Sequence, residues 1–275
     1  AGSFGYPVRY QIVDCGFMDL VEGSGETLVK LRQACKQLRE EGIRGVVADC
    51  GLVSLYQREL GEELLFVGSS LCQIPMIWQM IGHSGVIGVI TGHSGLLRES
   101  HLRHSGWREE MELAIQGMEN QPHFSEVVIR GEGSLDPARM EAEVIADAQE
   151  LQAQIPGLRA VVLECSNLAT YSRAVSEALG LPVFDTISGS KPDGLWALPA
   201  PLLLTHGKPP RLIRVQSRGG FLCRDIIRGG YRAWSHGERL PCRIHPTGAQ
   251  IPGQYRISPD RPWRRSAQRG SSHGR

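Results

Sequence analysis

Two cysteines occupy equivalent places in two similar stretches of the sequence. Cys50 lies in "GVVADCGLVSLY" and Cys165 in "AVVLECSNLATY", each after an apolar run and before a helical pattern. Parallel sheets bind ligands at the carboxyl ends of their strands, and the start of a helix favours a thiolate. If two halves of the chain face each other, one thiolate removes a proton from a carbon and the other thiol returns one to the opposite face.

Cysteine is also among the most buried residue types, and a structural role is the competing interpretation. We favour that role for three other cysteines, which are Cys15, Cys35 and Cys72. For Cys50 and Cys165 the paired placement favours catalysis. Asp49 and Glu164 precede them and count against a thiolate, because a nearby acid raises the pKa of a thiol.

The segments around these cysteines are copies of one another. An ungapped offset of 115 sets residues 43–64 over 158–179 with eight identities. The identical positions in the first copy are Arg44, Val46, Val47, Cys50, Tyr56, Arg58, Glu62 and Leu64. The repeat predicts an α/β fold of two pseudosymmetric, Rossmann-like parallel-sheet lobes with a cleft between them, over 1–82 and 83–188.

Residue patterns predict alternating strands and helices in both lobes. The predicted strands are 10–13, 45–48, 65–67, 86–90, 159–163 and 181–184, and the predicted helices are 26–41, 71–81, 137–153 and 168–179. Comparison of the copies leaves the first lobe without an opening strand, which we expect upstream of Ala1. It also leaves the second lobe without a closing helix after Ser188.

Residues 189–275 differ sharply in composition from the rest of the chain. They hold two Lys and fourteen Arg against three Asp and one Glu, whereas residues 1–188 carry a net charge of −11. This basic tail is expected to be disordered. Nonspecific nucleic-acid binding, a flexible extension without function and a non-native reading frame each explain it. We favour a non-native or nonfunctional tail and expect no nucleic-acid partner.

Cysteine usage and hydropathy indicate a cytoplasmic protein. The seven cysteines form no CxxC pair, which is typical of reduced thiols rather than of a disulfide framework. Neither a signal peptide nor an apolar stretch of membrane-spanning length is evident, so we expect no membrane partner.

Four blocks of the sequence resemble the aspartate/glutamate/hydantoin racemase superfamily. In order they are "SFGYPVRYQIV", "ADCGLVSLYQREL", "GVIGVIT" and "VVLECSNLATYSRAVSEALGLPVFDTIS", and they cover roughly residues 3–188. The resemblance implies two α/β domains, no cofactor, no metal, and Cys50 and Cys165 as catalytic acid and base. It also implies a substrate-binding set consisting of Gly51, Thr91, Ser166 and Asn167.

The implied function is a cofactor-independent amino-acid racemase or epimerase acting on an aspartate- or glutamate-like substrate. Its partners would be a small carboxylic acid or amino acid and, in a homo-oligomer, a second copy. Gly51-Leu52 follow Cys50 where the best-known amino-acid racemases have Asn-Thr. A related decarboxylase or cis–trans isomerase, a small-acid binding protein and an inactive remnant therefore remain alternatives.

Histidine-containing motifs suggest no other chemistry. His-Ser-Gly occurs three times, but none of these completes the G-x-S-x-G motif of serine hydrolases. His93, His101 and His104 lack an acid or cysteine at a metal-ligand spacing, and we interpret them as solvated loop residues.

Overall fold

The computed structural model describes residues 8–190, 212–217 and 255–257, which form two predominantly parallel sheets with helices packed around them. The predicted α/β class is confirmed. The first sheet has the order β1-β8-β2-β3, and its strands are β1 (Val8–Val13), β2 (Gly45–Ala48), β3 (Leu65–Val67) and β8 (Leu212–Ser217). The second has the order β7-β6-β4-β5-β9, and its strands are β4 (Val86–Thr91), β5 (Leu113–Gly117), β6 (Leu158–Leu163), β7 (Val183–Phe184) and the antiparallel β9 (Tyr255–Ile257).

Helices connect these strands. They are α1 (Phe17–Glu22), α2 (Gly25–Glu40), α3 (Gln57–Gly61), α4 (Ile74–Met80), α5 (Glu99–His104), α6 (Pro122–Phe124), α7 (Pro137–Gln154), α8 (Ser172–Leu179) and α9 (Thr186–Ser190). Four 3₁₀ turns cover Gly51–Tyr56, Ser70–Gln73, Met118–Asn120 and Ser166–Tyr171, and a π-helical turn covers Ser125–Ile129. Within the described residues, no helix combines the length and apolarity needed to cross a bilayer.

The two cysteine-bearing segments fold alike. Cys50 and Cys165 both have extended backbones and each precedes a six-residue 3₁₀ turn that runs into α3 or α8. The Val53 amide donates to the Cys50 carbonyl at 3.0 Å, and the Leu168 amide donates to the Cys165 carbonyl at 2.9 Å. These donors are 115 residues apart, so the sequence repeat is also a repeat of backbone structure.

Strand β8 fills a gap that the repeat predicted in the first sheet. In the second sheet, β4 lies between β5 and the cysteine-bearing β6, and β8 has the same position between β1 and the cysteine-bearing β2. We expected the strand for this place upstream of Ala1 and no regular structure after residue 188, so β8 and β9 depart from that expectation. The backbone of β8 pairs with both neighbours, which satisfies the polar groups on the facing edges of β1 and β2.

Other predicted elements differ in detail. The helix predicted over 71–81 begins as the 3₁₀ turn Ser70–Gln73 and continues as α4. The repeat leaves the second lobe without a closing helix after Ser188. The structure has a short helix, α9, at residues 186–190 directly after β7. The remaining tail residues, and with them the predictions of nucleic-acid binding or a non-native frame, lie outside the described residues.

The lobes share one core and hydrogen bond directly to each other. Val46 and Ile74 of the first lobe belong to the same buried cluster as Val162 of the second. The Ser70 hydroxyl donates to the Leu163 carbonyl at 2.8 Å, and the Gln73 amide donates to the Asp185 carbonyl at 2.9 Å. Because the segment after β3 crosses to the second sheet, the carboxyl ends of β2 and β6 are held against the same cleft.

Candidate active site between the two lobes

A cavity of about 620 Å³, including the solvent at its mouth, lies between the lobes. Its wall includes all of the residues predicted for the site, which are Cys50, Gly51, Thr91, Cys165, Ser166 and Asn167. They reach it from the carboxyl ends of β2, β4 and β6 and from the 3₁₀ turns that follow two of these strands. The fold thus brings the residues together, and their chemical roles remain predictions.

Cys50 lies in the part of the wall that favours a neutral thiol. Burial strongly raises the pKa of the Cys50 thiol, and the charge of the nearby Glu164 raises it further. A backbone hydrogen bond from Leu52 opposes these effects without cancelling them. At neutral pH Cys50 therefore holds its proton, which suits a hydrogen-bond donor or an acid rather than a base.

Cys165 has an amide side chain beside its sulfur. Like Cys50 it is partly exposed, and the Asn167 amide nitrogen lies 3.7 Å from the Cys165 sulfur in donor geometry. Gly92 packs against the same sulfur, because a Cβ at position 92 would lie 3.5 Å from it. Asn167 thus offers Cys165 a hydrogen-bond donor, whereas its counterpart in the repeat, Leu52, has an apolar side chain.

Glu164 is buried in the wall between the two cysteines. It is 4% exposed, and the Thr91 hydroxyl donates to its Oε2 at 2.7 Å. Burial raises the pKa of Glu164, while the hydrogen bond from Thr91 lowers it. A Cβ on Gly51 would overlap the Glu164 carboxylate, so the Glu164 side chain occupies the space that a side chain at position 51 would need. Gly51 and Thr91, predicted as substrate contacts, thus also position Glu164.

Two aromatic residues complete the wall and were not predicted. Phe17 comes from α1 and Phe124 from α6. A Cβ on Gly92 would lie 3.5 Å from Phe124 Cζ, which puts this ring near the Cys165 sulfur. Neither belongs to the repeat or to a strand end, so no signal in the sequence marked them.

Asp49 and Glu164 also line the cavity, and their alignment in the repeat could have marked them.

The histidines are only partly as predicted. His93 lines the cavity, whereas His104 is exposed on α5. The prediction of a solvated loop residue is wrong for His101, which is fully buried on α5. Its Nδ1 accepts from the Arg98 amide at 2.9 Å, so Nε2 carries the proton and donates to the Leu20 carbonyl at 3.1 Å. This bond fixes α1, the helix that carries Phe17.

The other cysteines in the described part of the chain, Cys15, Cys35 and Cys72, are not among the residues that line the cavity. Cys35 is fully buried in the core, as predicted for a structural cysteine. Cys15 is partly buried and packs on the same core, and the Cys72 thiol lies 3.2 Å from Gln57 Oε1.

Curated proteins similar to this chain are named as lyases. A dimethylsulfoniopropionate lyase from Durusdinium sp. clade D is 29% identical over 197 residues, which cover 67% of this chain and 64% of that protein. Dimethylsulfoniopropionate lyase 3 from Emiliania huxleyi (strain CCMP1516) is 31% identical over 202 residues, which cover 68% of this chain and 52% of that protein. The chain thus spans between about half and two thirds of the length of these relatives. No protein-family model matches it.

Solved structures similar to this one include racemases. Allantoin racemase from Klebsiella pneumoniae matches with a TM-score of 0.45 and 17% identity, covering 79% of this chain and 78% of that one. Glutamate racemase isoform RacE1 from Bacillus anthracis matches with a TM-score of 0.45 and 13% identity, covering 83% of this chain and 84% of that one.

Proposed function

We propose that the chain is a lyase that removes a proton from the carbon next to a carboxylate and expels a group from the neighbouring carbon. The observation that carries this proposal is the unequal surroundings of the two cysteines. Asn167 and Leu52 are equivalent in the repeat, so an amide side chain lies beside Cys165 and an apolar one follows Cys50. Elimination needs one base, whereas racemisation needs both sulfurs to exchange protons.

The names of the relatives supply the substrate. Dimethylsulfoniopropionate joins a carboxylate to a dimethylsulfonium group through two methylene carbons. Its reaction as a lyase substrate splits it into acrylate and dimethyl sulfide. We adopt this substrate because five curated dimethylsulfoniopropionate lyases match the chain, at 28% to 31% identity.

In the proposed reaction the Cys165 thiolate takes a proton from the carbon next to the carboxylate. The electron pair of that C–H bond forms the carbon–carbon double bond of acrylate. The bond between the other methylene and sulfur breaks, and its pair stays on sulfur, which turns the sulfonium into neutral dimethyl sulfide. Cys165 is left as a thiol and returns the proton to solvent.

Cys50 has a different part in this scheme. Because burial and Glu164 raise its pKa, its thiol stays protonated and donates a hydrogen bond to the substrate carboxylate. Negative charge builds on that carboxylate as the neighbouring proton leaves, and a fixed donor stabilises the developing charge. Ser166 and Asn167, which line the same wall, are the proposed further contacts of the carboxylate.

The test is to incubate the protein with dimethylsulfoniopropionate and measure dimethyl sulfide by gas chromatography and acrylate by proton NMR. Cys165→Ser should lower the rate by about 100-fold or more, the range expected for loss of a general base. Cys50→Ser keeps a hydrogen-bond donor and should lower it by less than about tenfold. Cys72→Ser, which changes a cysteine outside the cavity, is the matched control.

Racemisation is measured in the same samples. Aspartate and glutamate in deuterated water would gain deuterium at the α-carbon if both cysteines exchange protons with a substrate. Exchange that depends equally on Cys50 and Cys165, without release of dimethyl sulfide, would replace the lyase by the racemase predicted from the sequence. Absence of both reactions would leave an inactive or acid-binding protein.

A further inference from the structure

The charged groups in the cavity wall are mostly acidic. Among the lining residues, all of which belong to the described part of the chain, there are two acids, Asp49 and Glu164, and neither Lys nor Arg. His93 is the single lining side chain able to gain a positive charge, and its Nδ1 accepts a hydrogen bond from the Gly95 amide at 3.1 Å. Such a wall disfavours a substrate with two carboxylates.

Within the described residues, Glu164 has no counter-ion. Its Oε2 accepts a hydrogen bond from the Thr91 hydroxyl, and no Lys, Arg or His of this part of the chain pairs with the carboxylate. The side chain is 96% buried, and it borders a cavity that is otherwise mostly apolar. A buried carboxylate is costly unless a positive charge or further donors accompany it. A cationic ligand would supply what the protein does not.

Aromatic rings line the same space. Phe17 and Phe124 both face the cavity, and the electron-rich face of a phenyl ring attracts an onium group. A sulfonium or quaternary ammonium group carries no N–H or O–H to donate, so rings and a single carboxylate are enough to hold it.

We propose that Glu164, together with the Phe17 and Phe124 rings, selects substrates that carry an onium charge and rejects those with a second carboxylate in its place. This inference rests on the proposed function for the identity of the substrate. It names the side chains that separate a sulfonium acid from aspartate or glutamate, whose second carboxylate would face Glu164 without a cation between them.

Binding of three unreactive acids to the intact chain tests the inference without requiring turnover. They are 3-(trimethylammonio)propionate, its isostere 4,4-dimethylpentanoate, which keeps the carboxylate but lacks the onium charge, and glutarate, which has a second carboxylate. Calorimetric titration should show the ammonium acid binding at least about tenfold more tightly than the isostere, since one close charge pair accounts for that factor. Glutarate should bind most weakly. If burial of apolar surface alone governed binding, the isostere would bind more tightly than the ammonium acid.

Glu164→Gln keeps the shape of the side chain and should remove the preference, so that the isostere binds as well as the ammonium acid or better. Asp147→Asn makes the same change at a buried carboxylate outside the cavity and should leave the preference intact. The inference would be overturned by any of three results. These are equal affinity of the unmodified protein for the ammonium acid and its isostere, tighter binding of glutarate than of the ammonium acid, and an unchanged preference in Glu164→Gln.

The two proposals fail in different ways. Charge-selective binding without release of dimethyl sulfide would refute the lyase and keep the role of Glu164. Release of dimethyl sulfide with no preference for the onium charge would do the reverse.

Discussion

Asp147 on α7 is a buried carboxyl that the fold holds more easily as the neutral acid. The side chain is 3% exposed, and its Oδ1 accepts from the Gln121 amide at 3.2 Å. Its Oδ2 and the Oε1 of Gln116 are both buried acceptors without a partner among the described residues. A proton on Asp147 would turn one of these two acceptors into a donor.

Burial accordingly raises the pKa of Asp147 to about 6 from an ordinary value of 3.8. The folded chain then binds this proton more tightly than the unfolded chain does. Ionisation of Asp147 therefore costs no stability below pH 4, an increasing amount between pH 4 and 6, and a constant amount above pH 6. At about 1.4 kcal/mol for each pKa unit, the cost at pH 8 is about 3 kcal/mol.

Asp147→Asn keeps the acceptor for Gln121 and places an amide N–H where Oδ2 lies. Urea unfolding at pH 8 should show the variant to be more stable by about 2–3 kcal/mol, and the difference should vanish at pH 4. Glu141→Gln, at an exposed position of the same helix, should change little at either pH. A gain that is equal at the two pH values, or a loss at pH 8, would refute this account of the carboxyl.

Two further predictions concern the repeat and its site. Gly51→Ala should weaken binding and lower turnover, because the new methyl group would overlap the Glu164 carboxylate and force that side chain to move. The double variant Gly51→Ala/Glu164→Ala removes the overlap and should regain the stability that the single variant loses. A double variant that unfolds thermally at the same temperature as the single variant would contradict the clash. Tyr56→Phe should cost about 1–2 kcal/mol in urea unfolding, because the Tyr56 hydroxyl accepts from the Ser24 amide at 2.8 Å and donates to the Asp19 carbonyl at 3.0 Å. Tyr171→Phe is its matched control at the equivalent position, where the hydroxyl has no hydrogen bond to another described residue. Equal losses of stability in the two variants would refute the assignment.

The position of the candidate site was predictable because the repeat restricts where its parts can lie. Two copies of one strand–turn–helix unit must fold alike, so Cys50 and Cys165 must both follow the carboxyl end of a parallel strand. The same alignment contained Asp49 and Glu164, although their chemical importance was underestimated. A local pattern was sufficient for these residues because each is fixed by its own strand and turn.

The rest of the wall depends on contacts between distant segments, which local patterns do not encode. Phe124 lies on a three-residue helix followed by a π-helical turn, and no periodicity marks such a segment. Phe17 reaches the cavity because the buried His101 holds α1 through the Leu20 carbonyl, a contact across 81 residues. Strand β8 joins the first sheet from a segment whose composition is typical of disorder, because an open place between two strands stabilises it.

The differences between the copies, rather than their similarity, are informative about the reaction. Positions 49, 51 and 52 of the first copy correspond to 164, 166 and 167 of the second. The longer Glu164 reaches across to Gly51, and a serine at position 51, as its counterpart Ser166 is, would collide with that carboxylate. Asn167 donates towards its cysteine, and its counterpart Leu52 has no polar side-chain atom. The first difference places a carboxylate beside Cys50, which raises the pKa of that thiol, and the second gives Cys165 a donor that Leu52 cannot supply. A racemase that works in both directions needs its two sulfurs to exchange roles, whereas an elimination needs one permanent base and one permanent donor. The asymmetry of the two copies is therefore the reason that we propose a lyase rather than a racemase.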